Sequence, residues 1–392
     1  MSIRFSERAG LMRASDIRNK LFDDPDVITL AAGKPDEKLF PVEELFASAD
    51  SVRRDVGYKA LQYSSTEGLP ALRKAISDRV RPYCGGVKPE DFVLSSGSQE
   101  GIELSAKIFI NEGDYVVCES PSYLGALNAF RTYGPRYITI PMDKDGMLMD
   151  ELESALAGNK DIKMIYTIPD YQNPTGITMS LERRKRLAEF AAKYRVPVIE
   201  DSPYADLCYD GERLPLIKSF DKEGWVITLG SFSKILCPGL RLGWVLAGEE
   251  ILKKYALAKQ CSNLQCGSLD EWLTASYMQN HDFDLHINKL KNAYRARRDV
   301  MLSCCGEYFP AVVKFTRPTG GFFVWVELPE GTDTGELLLT ALKEVKVAFV
   351  PGMAFFAQRD RHNFLRLNFS FVSESNIEEG LRRLGTLLHK IV

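Results

Sequence analysis

A chain of 392 residues with apolar and charged fractions of 45% and 26% has the make-up of an ordinary soluble globular protein of two or three domains. A formal charge of −3 gives no electrostatic pull toward nucleic acid or an anionic membrane, and no apolar run approaches the ~18 residues that span a bilayer. The first residues lack the apolar stretch of a secretory signal, so the expectation is a cytoplasmic protein of enzyme size.

In chain order, residues 1–45 read as an arm with one short helix, Ser15-Asp16-Ile17-Arg18-Asn19-Lys20-Leu21, in which Ser15 suits an N-cap. Val27-Ile28-Thr29-Leu30 reads as a strand. It ends at the turn Ala31-Ala32-Gly33-Lys34-Pro35-Asp36, where Gly33 removes any side-chain obstruction. Amphipathic helices are expected over 42–56 and 69–81, separated by a loop that carries Tyr63. From about 90 to 250 short apolar runs alternate with helical stretches. The runs at 92–95, 114–119, 136–140, 162–167, 196–200, 225–229 and 244–247 read as strands, and 98–110, 122–133, 149–157 and 180–194 as helices. Repeated β-α units imply a mostly parallel sheet covered by helices.

A helix-rich stretch over 249–304 then leads to strands at 314–316, 322–327, 347–350 and 364–369, with helices at 334–344 and 375–390. The expected fold class is α/β: a large domain with a mostly parallel sheet, plus a smaller α+β C-terminal domain. The expected division is an arm over 1–45, a large domain over 46–285 and a small domain over 286–392. Without a flexible linker, the domains should pack closely.

Metal chemistry is not expected. The eight cysteines show no CxxC spacing and suit buried reduced thiols. His281 and His286 lie five apart, which misses the i, i+4 alignment of a helical metal pair.

In an open α/β sheet, ligands bind beyond the carboxyl ends of the strands, and several polar residues fall there. Ser95-Ser96-Gly97-Ser98-Gln99 joins a strand to a helix. The amides of Ser98 and Gln99 therefore form a helix N-terminus suited to phosphate, although a plain N-cap turn fits as well. Asn173-Pro174-Thr175-Gly176 fixes a turn after a strand and presents a carboxamide. Asp201 ends a buried run and must be paired or hydrogen-bonded to stay charged, unless it merely caps the next segment. In Ser231-Phe232-Ser233-Lys234, followed by Arg241, one amine is set among hydroxyls, a guanidinium and the glycines 230, 239 and 243. A surface loop with a solvated lysine is the plainer alternative.

In this order the phosphate cradle, Asn-Pro-x-Gly, Asp-x-x-Tyr and Ser-x-Ser-Lys with its arginine resemble the fold-type I aminotransferases that use pyridoxal phosphate. The resemblance spans nearly the whole chain, from the Gly33 turn to Arg366. Its flavour (Leu-Ala-Ala-Gly-Lys-Pro-Asp, Gln-Tyr and Ser-Gly-Ser-Gln) is nearest the 2-aminoadipate, kynurenine and aromatic aminotransferase branch.

The resemblance implies that Lys234 bonds covalently to the cofactor and, once displaced, shuttles the proton between the substrate Cα and the cofactor C4′. Asp201 would face the pyridine nitrogen. A charge pair at ~4 Å with a dielectric near 20 is worth about 4 kcal/mol, or roughly three pKa units, enough to keep the ring protonated. Asn173 and Tyr204 would bond the phenolic oxygen. Arg241, Ser231, Ser233 and the Ser98 and Gln99 amides would hold the phosphate, with Tyr123 stacked on the ring unless it is core. Arg366, in an alternating strand with Gly33 and Asn173 near it, would take the substrate α-carboxylate; a structural salt bridge is its alternative. Tyr63 would reach the phosphate of a neighbouring subunit, implying a homodimer with shared sites. Arg18 would lie over the substrate near a distal carboxylate, or simply be a surface arginine.

The expected activity is thus ping-pong amino transfer from an L-amino acid to a 2-oxo acid, 2-oxoglutarate in particular. A β-eliminating lyase or decarboxylase would use Lys234 and Asp201 equally well. A cofactor-binding regulatory domain is the remaining alternative, set back by the short arm before Leu30.

Overall fold

The computed structural model describes residues 3–13 and 24–392; the expected helix at Ser15–Leu21, with Arg18, lies outside the described residues. A short helix α1 (Glu7–Leu11) sets Arg8 over the Tyr133 ring, 5.1 Å from its centroid. Strand β1 (Ile28–Thr29) is followed by helices α2 (Val42–Asp55) and α3 (Pro70–Cys84). The large sheet comprises β2 (Phe92–Ser95), β3 (Tyr115–Ser120), β4 (Arg136–Asp143), β5 (Gly146–Met147), β6 (Ile162–Thr167), β7 (Val198–Asp201), β8 (Val226–Ser231) and β9 (Gly243–Leu246). Between them run α4 (Ser98–Phe109), α5 (Leu124–Arg131), α6 (Met149–Gly158) and α7 (Leu181–Tyr194). The strand order is β2-β9-β8-β7-β6-β3-β4-β5. Strands β4, β3, β6, β7 and β8 pair in parallel, whereas β9 runs against both of its neighbours and β5 against β4.

The reversal of β9 follows from its connection. Only the turn around Lys234 and Pro238–Leu240 separates it from β8, too little chain for the crossover that a parallel neighbour needs. Strands β7 and β8 are buried along their full length, as expected of a sheet covered on both faces.

After α8 (Glu249–Gln260) and α9 (Ser268–Asn280) comes α10 (Phe283–Tyr308), a helix of 26 residues. The expected boundary at 285/286 falls inside α10: its start packs Phe283 on Phe232, while Tyr294 packs edge-on against Phe322. The C-terminal part holds β10 (Lys314–Phe315), β11 (Phe323–Glu327), α11 (Thr334–Glu344), β12 (Val347–Ala348), β13 (Val350–Pro351), β14 (Phe364–Asn368) and α12 (Glu374–Ile391). The single strand expected over 347–350 is split. Val347–Ala348 pairs in parallel with β1, and β13 joins the antiparallel sheet β10-β11-β14-β13. Thus β1, within the arm, is stitched to the C-terminal part, while the Gly33 turn that follows it lies over the carboxyl edge of the large sheet.

Candidate active site

The carboxyl ends of β2, β3, β6, β7 and β8 line one edge of the large sheet, and the polar turns singled out in the sequence follow these strands. Asp201 closes β7 and is 1% exposed. Its Oδ2 accepts a 2.8 Å bond from the Tyr166 hydroxyl, while Oδ1 is buried with no partner. Burial pushes this carboxyl up to about 7, against the Tyr166 bond and the attraction of Lys234. An orphaned buried oxygen on a reluctant carboxylate needs a cationic N–H.

Lys234 follows β8, and its Nζ donates to the Gly33 carbonyl at 3.0 Å. Burial and the like charges of Arg366 and Arg241 bring the amine down to about 8. It is not a solvated surface lysine. The Gly33 side of this contact differs in kind from expectation. A Cβ there would sit 3.6 Å from Arg366 and Phe323, an ordinary contact, so the carbonyl rather than a missing side chain is what the fold uses.

Arg366, at the centre of β14, is fully buried. It donates to Asn173 Oδ1 and to the Ala31 carbonyl, both at 2.9 Å, and its guanidinium lies 4.2 Å from the Phe323 centroid. Its Nε is unpartnered, and no carboxylate of the described residues pairs with it, which removes the structural salt bridge as an explanation. Desolvation lowers it to about 10. A planar anion is the ligand that this geometry lacks. Asn173 is 5% exposed, and the nearby Tyr204, 4% exposed, sets its ring edge-on against Phe322 and Phe323.

At the opposite end, Gly97 has φ +78°, and a Cβ there would come 2.9 Å from Arg241 Nη2, so only glycine admits both the turn and the guanidinium. It N-caps α4 without a side chain, leaving the first-turn amides of Ser98 and Gln99 to an outside acceptor. Arg241 donates to the Ser96 carbonyl at 2.9 Å and is exposed. Ser231 Oγ accepts from the Ser233 amide at 3.1 Å, holding the two hydroxyl-bearing residues as one turn. The Gln99 side chain is already engaged, donating to the Gly125 carbonyl at 3.0 Å and accepting from the Tyr123 hydroxyl at 3.3 Å, so only its amide remains for a ligand. Tyr123 is the N-cap of α5 rather than a residue inside it, and its ring occupies the space a Cβ on Gly125 would fill. Tyr63 is 80% exposed and makes no part of this cleft.

Three contributors escaped the sequence reading. Tyr166 and Gly125 were visible only as part of a strand and a helix. Glu119, 2% exposed at the end of β3, accepts from Thr167 Oγ1 at 2.5 Å, Gln172 Nε2 at 2.9 Å and the Ile168 amide at 3.3 Å. It ties the Asn173 turn to the stretch before Tyr123, because Gln172 also donates to the Pro121 carbonyl at 2.8 Å. Burial raises Glu119 to about 7. A glutamate ending an apolar strand was the available signal.

An amine lowered toward neutrality, a carboxylate and a buried guanidinium that are each without an ion-pair partner among the described residues, and a glycine-lined helix N-terminus converge on one sheet edge. These vacant complements fit a phosphorylated pyridine aldehyde and an amino acid. The chain belongs to the aminotransferase class I and II family, whose model matches residues 25–384, and it is a pyridoxal-phosphate-dependent aminotransferase. It is 44% identical over 388 residues to an aromatic-amino-acid aminotransferase of Thermococcus litoralis, covering 97% of this chain and 93% of the relative. A kynurenine aminotransferase of Pyrococcus horikoshii, solved in complex with PMP, superposes with a TM-score of 0.95 at 41% identity, over 98% of this chain and 97% of that one. An α-aminoadipate aminotransferase of Thermus thermophilus, complexed with N-(5′-phosphopyridoxyl)-L-leucine, gives 0.91 at 39% identity, with coverage of 98% and 97%.

Proposed function

We propose that this aminotransferase moves the amino group of an L-amino acid of the aromatic or 2-aminoadipate type to a 2-oxo acid such as 2-oxoglutarate. The similar proteins act on aromatic amino acids, 2-aminoadipate and kynurenine, which supports this choice. The observation that carries the site assignment is the unpartnered, buried Asp201 Oδ1 within electrostatic reach of Lys234.

When bound, pyridoxal phosphate supplies an electron sink for the carbon being deprotonated. Asp201 holds the proton on the pyridine nitrogen, and Tyr166 keeps Asp201 oriented. Lys234 would hold the group through its aldehyde carbon and, once freed, would take up and give back the substrate Cα proton; an amine near 8 can do both at neutral pH. Asn173 and Tyr204 bond the phenolic oxygen. Arg366, with the Gly33 turn and Asn173 beside it, clamps the α-carboxylate and fixes the Cα proton relative to Lys234. Arg241, Ser231, Ser233 and the Ser98 and Gln99 amides hold the phosphate, and Tyr123 covers the ring.

We keep the division into an arm over 1–45, a large domain over 46–285 and a small domain over 286–392, and we place the enzyme in the cytoplasm as a homodimer. Exposed apolar side chains support the dimer: Phe46, Tyr58, Leu61 and Tyr63, beside Leu264 in the α8–α9 turn and Leu269 at the start of α9, a stretch bonded to the same segment. Tyr63 would complete the partner's phosphate site. Arg18 lies outside the described residues, and its place over the substrate is a proposal from the resemblance alone.

Borohydride reduction followed by peptide mapping tests the assignment. A label at Lys234 is expected; a label elsewhere, or none, overturns it. A panel of amino acids, followed by absorbance as each converts the bound cofactor to its amine form, identifies the donor. Release of pyruvate and ammonia or of carbon dioxide in that panel would instead mark a lyase or decarboxylase.

A further inference from the structure

Lys259, at the end of α8, is fully buried, yet it touches nothing in the cleft. Its Nζ lies 3.4 Å from Glu100 Oε2 and 3.0 Å from the Cys266 sulfur. Glu100 sits in the first turn of α4, and the same Oε2 accepts a 2.6 Å bond from the Ser96 amide. Ser96 is secured at its other polar atoms too: its carbonyl accepts from Arg241 at 2.9 Å and its hydroxyl from Asn263 Nδ2 at 3.3 Å. Asn263 and Leu264 in turn bond their amides to the Lys259 carbonyl at 3.0 and 3.1 Å. The turn Ser96–Gln99 is therefore suspended between Arg241 on one side and the end of α8 on the other.

The charges matter as much as the bonds. A carboxylate in a first helical turn is favoured by the helix dipole, but it also competes with any anion at the same amides. Glu100 follows directly on the Ser98 and Gln99 amides, where a phosphate with up to two negative charges would sit. Left alone, its charge would repel that group; a buried lysine against it cancels the field where solvent screening is weak.

We infer that the buried Lys259 and the partly buried Glu100 form an ion pair that positions the Ser96–Gln99 turn and neutralises it for the cofactor's phosphate. Both are positioning residues, acting through Ser96 and through their field. This rests on the assignment of the phosphate to this turn. Lys259→Met keeps the bulk and removes the charge, leaving Glu100 uncompensated. Glu100→Gln keeps the acceptor for the Ser96 amide and removes the repulsion. The two substitutions should therefore move phosphate affinity in opposite directions, whereas a merely structural pair would move it one way.

The experiment uses apo-protein, with dissociation constants for pyridoxal phosphate and for pyridoxal, which lacks the phosphate, read by absorbance. Lys259→Met should weaken pyridoxal phosphate about tenfold, as expected for one nearby charge, with pyridoxal unchanged. Glu100→Gln should tighten pyridoxal phosphate, with pyridoxal again unchanged, and the double variant should return to the wild-type value. An equal loss for both ligands in Lys259→Met, no loss, or a weakening by Glu100→Gln overturns the inference. If Lys259→Met does not fold, the sign of the Glu100→Gln effect decides alone. Arg241→Ala separates the two levels: if it fails to weaken pyridoxal phosphate relative to pyridoxal, the phosphate assignment itself falls. If it does weaken it while the pair behaves otherwise than stated, only the pair's role falls.

Discussion

The floor and the rim of the cleft are built differently. On the floor, Asp201, Asn173, Arg366 and Glu119 are buried and bonded within their own chain: Asp201 to Tyr166, Asn173 to Arg366, Arg366 also to Ala31, and Glu119 to Gln172. On the rim, Arg241 is exposed and the amides opening α4 have no side-chain cap, while Tyr63, exposed and outside the cleft of its own chain, would join the rim of a partner's site. A low-dielectric floor makes each charge count heavily and leaves each missing complement expensive. A solvent-facing rim holds its ligand by several weaker bonds, no one of which is decisive. The contrast teaches where chemistry and where mere retention should be damaged.

The largest effects are expected on the floor. Lys234→Ala should lower kcat by more than about 10⁴-fold, since the covalent attachment and the proton shuttle go together; single-turnover absorbance with a good donor measures it. The same amine sets a pH dependence. Held near 8 rather than 10.5, it is about half neutral at pH 8, so cofactor attachment to apo-protein should accelerate with pH and level off above about 8. A midpoint near 10 by stopped-flow would break the account of a desolvated lysine.

Asp201→Asn should cost about 10³-fold in kcat, the size of one close charge pair. The apo-protein should nonetheless melt higher, not lower, at pH 8. Its carboxyl is raised from 3.8 to about 7, so the folded state resists ionisation, and the penalty grows as pH climbs between those values. The gain from asparagine should accordingly be larger at pH 8 than at pH 5. Equal gains at both would mean that Asp201 is not the strained group of the floor.

Much of this floor was legible in the sequence. Asp201 closes an apolar strand and Asn173 and Lys234 stand in the turns that follow two others, and the parallel-sheet rule places such residues on one edge. The ladder itself was readable from alternation of apolar runs with helices, except at β9, whose direction depends on how little chain precedes it, and at Val347–Val350, which serves two sheets at once. Tyr166 was not legible, and Glu119 only as an unusual acid ending an apolar strand. Their roles arise from side chains on neighbouring strands meeting across the sheet, and no spacing along one strand encodes that meeting. Gln99 was half legible: its helix position predicted the free amide, but its side chain is bound to Tyr123 and Gly125 from another turn.

Arg366 lies between the extremes. Arg366→Met removes a bidentate, charge-assisted clamp and should lower kcat/KM about 100-fold for both the amino acid and the oxo acid. Because the guanidinium is buried with no carboxylate partner among the described residues, the apo-protein should not be destabilised by losing it. The shared loss for both substrates is the sharp part: a residue that recognises a side chain would affect one pair of substrates and spare others.

The smallest effect, on the rim, discriminates most finely between one chain and two. Tyr63→Phe should weaken cofactor binding about tenfold, one hydrogen bond to a charged group, with kcat at saturation nearly unchanged. In mixed dimers of a Lys234→Ala chain with a Tyr63→Phe chain, the surviving amine belongs to the chain carrying phenylalanine at 63. If Tyr63 serves the partner's site, that amine meets an intact tyrosine from the other chain, and the hybrid binds cofactor as tightly as wild type at its one working site. If Tyr63 serves its own chain, the working site is the damaged one, and the weakened affinity persists. Titrating the hybrid's activity with pyridoxal phosphate separates the two outcomes. The 80% exposure of Tyr63 in a single chain makes the first the expected result.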